Sequence, residues 1–320
     1  MRPAAEPLAA AVLGAGRARN GLGPFLIRFL EEAGVRVVAI AGRDLGRTQE
    51  LAEVLARRHG HAVAACPDPR SLAQVPGLDA YVVAAPIPAH RAGLEAALAA
   101  GLPVLAEKPL LAPEEHDLVP DLLDRFAARR LLLVENCPWP EVLAELAPRW
   151  PEAFAPPLRR LELRLSPTQA GREMLVDSLS HLLSLLQALV PVDAGTAIRD
   201  LRWSGRGAAS EAMDLEFVAE RPFAAVVLRL LLRRVPEQPR PAWLAVNGVR
   251  LDRTVALPDY AMSFAGAGRS LRVGDPLRAL VYGFARSVRE DAHERTRRES
   301  DAIRQRARLY QAIVRAHDQG

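Results

Sequence analysis

Cysteine is nearly missing from this chain: its 320 residues hold two, Cys66 and Cys137. Two isolated thiols can build neither a disulfide framework nor a zinc cluster, and they suit a reducing cytoplasm, which is the expected location. Aromatic residues make up only 5%, and no basic run is interleaved with them, so the footprint of a nucleic-acid binder is absent. Charge of one sign is also lacking, because 42 basic residues face 38 acidic ones and leave a formal +4. Arginine pairs such as Arg57-Arg58 and Arg233-Arg234 adjoin apolar periodic segments and read as solvated faces. No apolar run approaches the roughly 20 residues that span a bilayer. The stretch Leu8 to Leu13 is too short for a signal-peptide core and runs into glycines, so it reads as a strand. The scarcest residue is lysine: among the 42 basic residues, Lys108 is the single one. Where charge alone sufficed, this sequence uses arginine, which marks Lys108 as a position needing a compact ammonium with a shiftable pKa; survival by chance is the alternative.

What is present is the balance of an ordinary globular protein, half hydrophobic and a quarter charged, at a length that suits two domains. From Leu8 to about Asn136 short Ala/Val-rich runs alternate with helical patterns, the form of repeated βα units around a parallel sheet. Strands are expected at Ala10 to Leu13, Val35 to Ala41, Ala62 to Ala65, Ala80 to Ala84, Val104 to Ala106 and Leu131 to Glu135. Helices are expected near Pro24 to Ala33, Arg47 to His59, Ala89 to Ala100 and Pro113 to Arg129. Six strands are what a full dinucleotide-binding fold uses.

After Cys137-Pro138-Trp139-Pro140 the alternation stops. A strand at Arg159 to Leu165 precedes one strongly apolar helix, about Met174 to Val190. Further strands are expected at Ile198 to Trp203, Met213 to Ala219, Ala224 to Leu232, Trp243 to Val249 and Ser270 to Val273, and Asn247-Gly248 signals a hairpin. Helices at Leu277 to Glu290 and about Arg295 to Ala316 close the chain. The expected fold is α/β: a doubly wound parallel Rossmann sheet over residues 1–137, then an α+β domain with a largely antiparallel open sheet over residues 138–320. The first is expected to bind a dinucleotide, the second to bind substrate and mediate assembly. Strands such as Ala224 to Leu232 carry apolar residues on both faces, which predicts a homodimer or higher oligomer.

Five places carry candidate chemistry. Gly14-Ala15-Gly16 follows the first strand, where glycines let backbone amides approach a pyrophosphate at a helix N-terminus. Arg19 stands where the third glycine of GxGxxG belongs, and Gly21 could serve if Ala18 to Asn20 are an insertion; a plain strand-to-helix turn is the other reading. The second strand ends in Gly42-Arg43-Asp44. Gly42 takes the place of the acid that NAD enzymes offer to the ribose, and Arg43 suits the extra phosphate of NADP, so NADP(H) is favoured over NAD(H). Ala84-Ala85-Pro86 follows the fourth strand with His90 four residues beyond Pro86, and His90 alone reads as a helix-start or packing residue. The fifth strand delivers Glu107-Lys108-Pro109 to the sheet edge where open α/β proteins place ligands. Asp177 and His181, four apart, share one face of the apolar helix with Ser180, Ser184 and Gln187. That uncharged stripe is expected to face a cleft; a buried Asp and His satisfying each other is the alternative. The candidate cofactor-binding set is Gly14, Gly16, Arg17, Gly21, Arg43, Pro86, Glu107 and Lys108, and no metal site is expected.

Taken together these residues resemble the glucose-fructose oxidoreductase, inositol dehydrogenase and rhizopine catabolism family, Gfo/Idh/MocA. The resemblance runs in order through Gly14 and Gly16, Pro86 and His90, Gly101, and Glu107-Lys108-Pro109, and continues to Asp177 and His181, which match the family's DxGxH helix. It implies an NAD(P)-dependent oxidoreductase in which Lys108 and His181 face the substrate and the nicotinamide lies between the domains. Three positions depart from the family's pattern. Leu179 replaces the motif's glycine, the glycine-rich lead-in is reduced to Ala170-Gly171-Arg172, and the usual Arg or Tyr before Pro140 is missing. These departures point away from a typical sugar.

The chemistry expected on that basis is reversible hydride transfer between nicotinamide and a carbonyl or secondary alcohol of a small sugar-like or polyol-like substrate. His181, a side chain whose unperturbed pKa lies near neutrality, moves the hydroxyl proton, Lys108 stabilises the alkoxide, and Asp177 binds substrate or orients His181. The alternatives are a biosynthetic ketone or imine reductase of the same fold, and a non-enzymatic NADP(H)-binding protein or subunit.

Overall fold

The computed structural model describes residues 7–16, 21–222, 224–257, 260–290 and 293–319. They form two compact units. One runs through Asn136 and takes in Leu277–Arg304; the other comprises Cys137–Pro276 and the chain from Gln305.

The first unit alternates strand and helix: β1 (Leu8–Leu13), α1 (Gly23–Glu32), β2 (Val35–Ala41), α2 (Leu45–His59), β3 (Ala64–Cys66), α3 (Pro69–Ala73), β4 (Ala80–Val83), α4 (His90–Ala100), β5 (Val104–Ala106), α5 (Val119–Ala128) and β6 (Leu133–Glu135). The six strands are parallel in the order β3-β2-β1-β4-β5-β6. This is the doubly wound dinucleotide order, with its reversal between β1 and β4. The central strands are short Ala/Val/Leu runs because both of their faces are covered: Val12, Val37, Val82, Leu105 and Val134 are at most 2% exposed. Pro24 stands in the first turn of α1, and the Asp44 carboxylate caps α2 by accepting from the Arg47 amide. The expected helix from Pro113 to Arg129 is divided. Pro113–Leu118 is a 3-10 turn and α5 starts at Val119, with Pro120 in its first turn, because Pro120 has no amide to donate to a continuing helix. The five-residue α3 was too short to announce itself by periodicity.

The second unit contains α6 (Leu143–Arg149), α7 (Pro151–Phe154), β7 (Arg160–Leu165), α8 (Arg172–Leu189), β8 (Ala197–Ser204), β9 (Ala212–Arg221), β10 (Ala224–Arg233), β11 (Ala242–Val246), β12 (Val249–Ala256), β13 (Ala261–Gly266) and β14 (Arg269–Val273). The eight strands lie in the order β14-β13-β12-β11-β7-β10-β9-β8. The sheet is largely antiparallel, with β7 and β10 paired parallel at its centre. Asn247 and Gly248 both have positive φ, which makes the tight hairpin between β11 and β12. The single strand expected from Trp243 to Val249 is therefore two, and β13, rich in small residues, gave no strand signal. Inward residues of the sheet pack with Leu175, Leu179, Leu182, Leu183, Leu185 and Leu186 of α8, all 0% exposed. Each such leucine contributes about 1.5–3 kcal/mol of burial.

Two expectations need correction. The C-terminal part is not one piece with the antiparallel sheet. α9 (Pro276–Glu290) places Leu277, Leu280, Val281 and Phe284 in the first unit's core, Arg289 donates to the carbonyls that end α1, and Arg278 pairs with Glu32. α10 (His293–Gln319) is divided between the units at Arg304 and Gln305. An amphipathic helix announces an apolar face, not the core that will receive it. The outer face of the second sheet, moreover, is not simply apolar. Val227 and Leu231 alternate there with Arg229 and Arg233, which pair with Asp214, while Arg160 binds Glu162 and Glu216.

Candidate active-site residues

The parallel register puts the candidate residues of the first unit on one edge. Leu13 is level with Ala41 and with Val83, Val83 with Ala106, and Ala106 with Glu135. One residue beyond that row come Gly14, Gly42, Ala84, Glu107 and Asn136, all at the carboxyl ends of the strands, where open α/β sheets bind ligands.

Gly14 is the tightest point of this edge. Its φ is +88°, and a Cβ there would sit 2.4 Å from the Ala85 nitrogen and 2.6 Å from the Ala84 carbonyl carbon. Its amide donates to Ala41 and the Ala84 amide to Leu13, so the turns after β1, β2 and β4 are tied together by backbone. Around Gly16 a Cβ would meet nothing within 4 Å among the described residues. Gly21 lies two residues before α1. The close approach expected of a third glycine is made by Gly23, whose Cβ would lie 2.3 Å from the Gly14 oxygen. Spacing alone could not find Gly23, because the connection is longer than GxGxxG allows. Arg17 and the Ala18 to Asn20 segment lie outside the described residues.

Gly42 is half-buried and Arg43 exposed directly after β2. A side chain at Gly42 would begin 2.8 Å from the Thr48 hydroxyl, which itself donates to the Asp44 carbonyl. The nearby acid, Asp44, is engaged in capping α2. The group free to meet an adenosine ribose or its phosphate on this turn is therefore Arg43, a guanidinium with phosphate geometry.

Pro86 is exposed and leads through a 3-10 turn into α4. His90 opens that helix at 1% exposure. Its Nδ1 is 2.8 Å from the Pro109 carbonyl and its Nε2 2.8 Å from that of Ala85. Burial lowers its pKa against the opposing pull of these carbonyls, and the ring ties the turn after β4 to the loop that carries Lys108. Lys108 is half-buried. Its neighbour Glu107 accepts from Asn136 Nδ2 at 2.5 Å. Asn136, 2% exposed, also donates its amide to Ala106. Asn136 was missed in the sequence, although its place directly after β6 on the same edge was the signal that could have found it.

In the second unit α8 carries Asp177 exposed and His181 half-buried, with Glu173 one turn earlier on the same stripe. Asp177 is exposed, so the pair is not a buried one. The stripe is narrower than expected. Ser180 and Ser184 are buried, the Ser180 carbonyl lies 3.8 Å from the Cys137 thiol and Ser184 donates to His181's own carbonyl, while Gln187 accepts from Arg306. Among the described residues no group of three or more His, Cys, Asp or Glu side chains could hold a metal ion, and no helix is long and apolar enough to cross a membrane.

With this geometry in place, comparison with known proteins is informative. Residues 8–128 match the family model for the Gfo/Idh/MocA oxidoreductase family, NAD-binding Rossmann fold. An inositol 2-dehydrogenase of Streptomyces avermitilis is 41% identical over 107 residues, which are 32% of this chain and 28% of that protein. Inositol 2-dehydrogenase 1 of Saccharopolyspora erythraea is 44% identical over 80 residues, 25% and 23% of the two chains. The match thus spans less than a third of the relatives' own length. Whole-chain similarity appears in solved folds. KijD10, a 3-ketoreductase from Actinomadura kijaniata solved with NADP, superposes with a TM-score of 0.69 at 20% identity over 96% of each chain. UDP-N-acetylglucosamine 3-dehydrogenase GnnA from Acidithiobacillus ferrooxidans gives 0.68 at 20% identity over 97% of this chain and 96% of its own.

Proposed function

We propose, from the match of residues 8–128 to the model of the Gfo/Idh/MocA oxidoreductase family, that this chain is an NADP(H)-dependent oxidoreductase of that kind acting on a carbonyl or secondary alcohol of a small polyol-like or modified-sugar substrate. The observation that supports this most is the aligned row of strand ends, which sets a left-handed glycine turn, Arg43, Pro86, Glu107 and the single lysine along one edge at the sheet's reversal. The backbone turn at Gly14 and Gly16 fits a dinucleotide pyrophosphate, and Arg43 fits a ribose phosphate. The nicotinamide cofactor, when bound, supplies or accepts the hydride.

The chain's own groups do the rest. Lys108 holds the substrate oxygen and stabilises negative charge as it develops there. His181 gives or takes the hydroxyl proton, a task suited to an imidazole. Asp177, exposed one turn before it, hydrogen-bonds substrate or fixes the imidazole. A ketone or imine reductase of the same fold is the second reading, favoured by the shortened lead-in to α8.

The first test is titration of purified protein with NADPH and NADH, with Arg43→Ala alongside. NADPH binding tighter by about tenfold or more, with the preference lost in the variant, matches one charge-assisted phosphate contact of roughly 1.5–3 kcal/mol. A preference for NADH removes the role given to Arg43, and binding of neither removes the enzyme. The same reading takes the chain to be a homodimer or larger, self-associating through the outer face of the second sheet at Val227 and Leu231. Sedimentation at micromolar concentration is expected to show more than the monomer mass; a monomer sinks that part.

A further inference from the structure

Most arginines of the second sheet are accounted for by partners. Arg160, Arg229, Arg233 and Arg250 pair with Glu162, Glu216, Asp214 and Asp252 along its outer face. Arg253 and Arg240 are not: with Arg221 they are the described arginines that keep a buried guanidinium nitrogen without a partner, and these two meet each other. Arg253 follows Leu251 on the inward side of β12, level with buried Ala242 and Phe264 on the neighbouring strands. Its guanidinium lies over the ring of Trp139, 5.3 Å from the centroid, and Trp139 in turn meets Phe264 edge to face. One amino group donates to the backbone carbonyl of Arg240 at 3.3 Å. Its buried Nε has no partner, and neither have Nε and one Nη of Arg240. No carboxylate pairs with either side chain among the described residues.

Two guanidinium groups with buried, unpartnered nitrogens, close enough for one to depress the pKa of the other, are unfavourable in isolation. Desolvation and the neighbouring Arg240 lower the pKa of Arg253 to about 10. The chemistry that satisfies such a pair is a single oxyanion accepting from both forks.

The position of the pair connects it to α8. The segment carrying Arg240 is bound to the lead-in of that helix: Ser166 donates to the Pro241 carbonyl at 2.6 Å, the Val235 amide to Pro167 at 2.9 Å and Arg234 to the Thr168 carbonyl at 3.0 Å. The Trp139–Val142 turn beneath Arg253 packs against α8 itself, the helix that bears Asp177 and His181. We infer that Arg240 and Arg253 form an oxyanion-binding subsite in the second unit and that the substrate carries a phosphate or carboxylate group which it holds. The inference rests on the reading of α8 as the substrate-facing helix. It adds a specificity determinant that neither the glycine turn nor Lys108 supplies.

Trp139 provides the readout, because an anion settling on the guanidinium above its ring alters its emission. The full-length protein, without nicotinamide, is titrated with inorganic pyrophosphate and separately with malonate while tryptophan fluorescence is recorded. A saturable change is expected with at least one of the two, phosphoryl or dicarboxylate, and whichever binds tighter names the group. Arg253→Gln and Arg240→Gln are each expected to weaken it about tenfold or more. Arg253→Lys keeps the charge without the fork and falls between. Arg199→Gln, at an exposed arginine paired with Glu220, should leave the titration unchanged, and Trp139→Phe should remove the signal while calorimetry still detects binding. If neither anion gives a saturable response, or if both Gln variants, folded by circular dichroism, bind like wild type, the subsite does not exist. NADPH binding measured in parallel separates that failure from failure of the proposed function.

Discussion

Replacing Lys108 by arginine is expected to lower kcat by about a hundredfold or more while NADPH affinity stays near that of wild type. The sequence spends arginine wherever a positive charge suffices, with Lys108 its single lysine. A guanidinium spreads its charge over a plane and is locked into fork geometry, whereas an ammonium presents a point charge that follows a developing alkoxide. The loop that carries Lys108 is fixed on both sides, by His90 at the Pro109 carbonyl and by Asn136 at Glu107, so a longer, planar head group cannot be accommodated by moving the backbone. Lys108→Met should lose at least as much. The measurement is steady-state turnover on a substrate found by screening polyols, modified sugars and their phosphorylated or carboxylated derivatives, together with cofactor titration of each variant. Full turnover in Lys108→Arg would mean that the ammonium does no chemistry. If no substrate turns over and both variants bind NADPH as wild type does, the chain is better described as a cofactor-binding protein that has lost catalysis.

The parallel sheet was legible because its strands are short apolar runs separated by helices with a 3.6-residue period, and its edge residues followed from where those runs stop. Val35–Ala41 and Val104–Ala106 fall where they were expected. Less was readable where the signal is not local. The close approach of Gly23 went unannounced because what selects it is contact with the Gly14 oxygen across the turn, not its distance along the chain. α9 has a clear apolar face, yet only tertiary packing decides that the face joins the first unit. Asp177 and His181 were placed on one helical face, but the serines beside them are buried; Ser184 bonds the His181 carbonyl, and a hydroxyl that bonds backbone in its own helix can enter a core at little cost. Arg240 and Arg253 gave no sequence signal at all. In a chain this rich in arginine, an unpaired one is visible only when every neighbour has been placed.

Gly14→Ala and Gly16→Ala make a pair whose opposite outcomes test the edge itself. At Gly14 an added Cβ meets backbone, 2.4 Å from one atom of Ala85 and 2.6 Å from one of Ala84, and its φ of +88° is one that L side chains avoid. No rotamer change relieves a clash with main chain, so the turns after β1 and β4 must part. The expected loss is on the order of 2–4 kcal/mol. In thermal unfolding this corresponds to a fall of about 5–15 °C, with cofactor affinity lost as well. At Gly16 the added carbon meets nothing within 4 Å among the described residues, and φ is not positive. Stability should therefore stay within about 0.5 kcal/mol of wild type. Cofactor affinity should still fall, because the methyl group occupies the space through which a pyrophosphate would approach the amides. A Gly16→Ala protein that melts like wild type and binds NADPH like wild type would show that the dinucleotide does not approach this turn. A Gly14→Ala protein that melts like wild type would show that the turns after β1 and β4 are not in backbone contact.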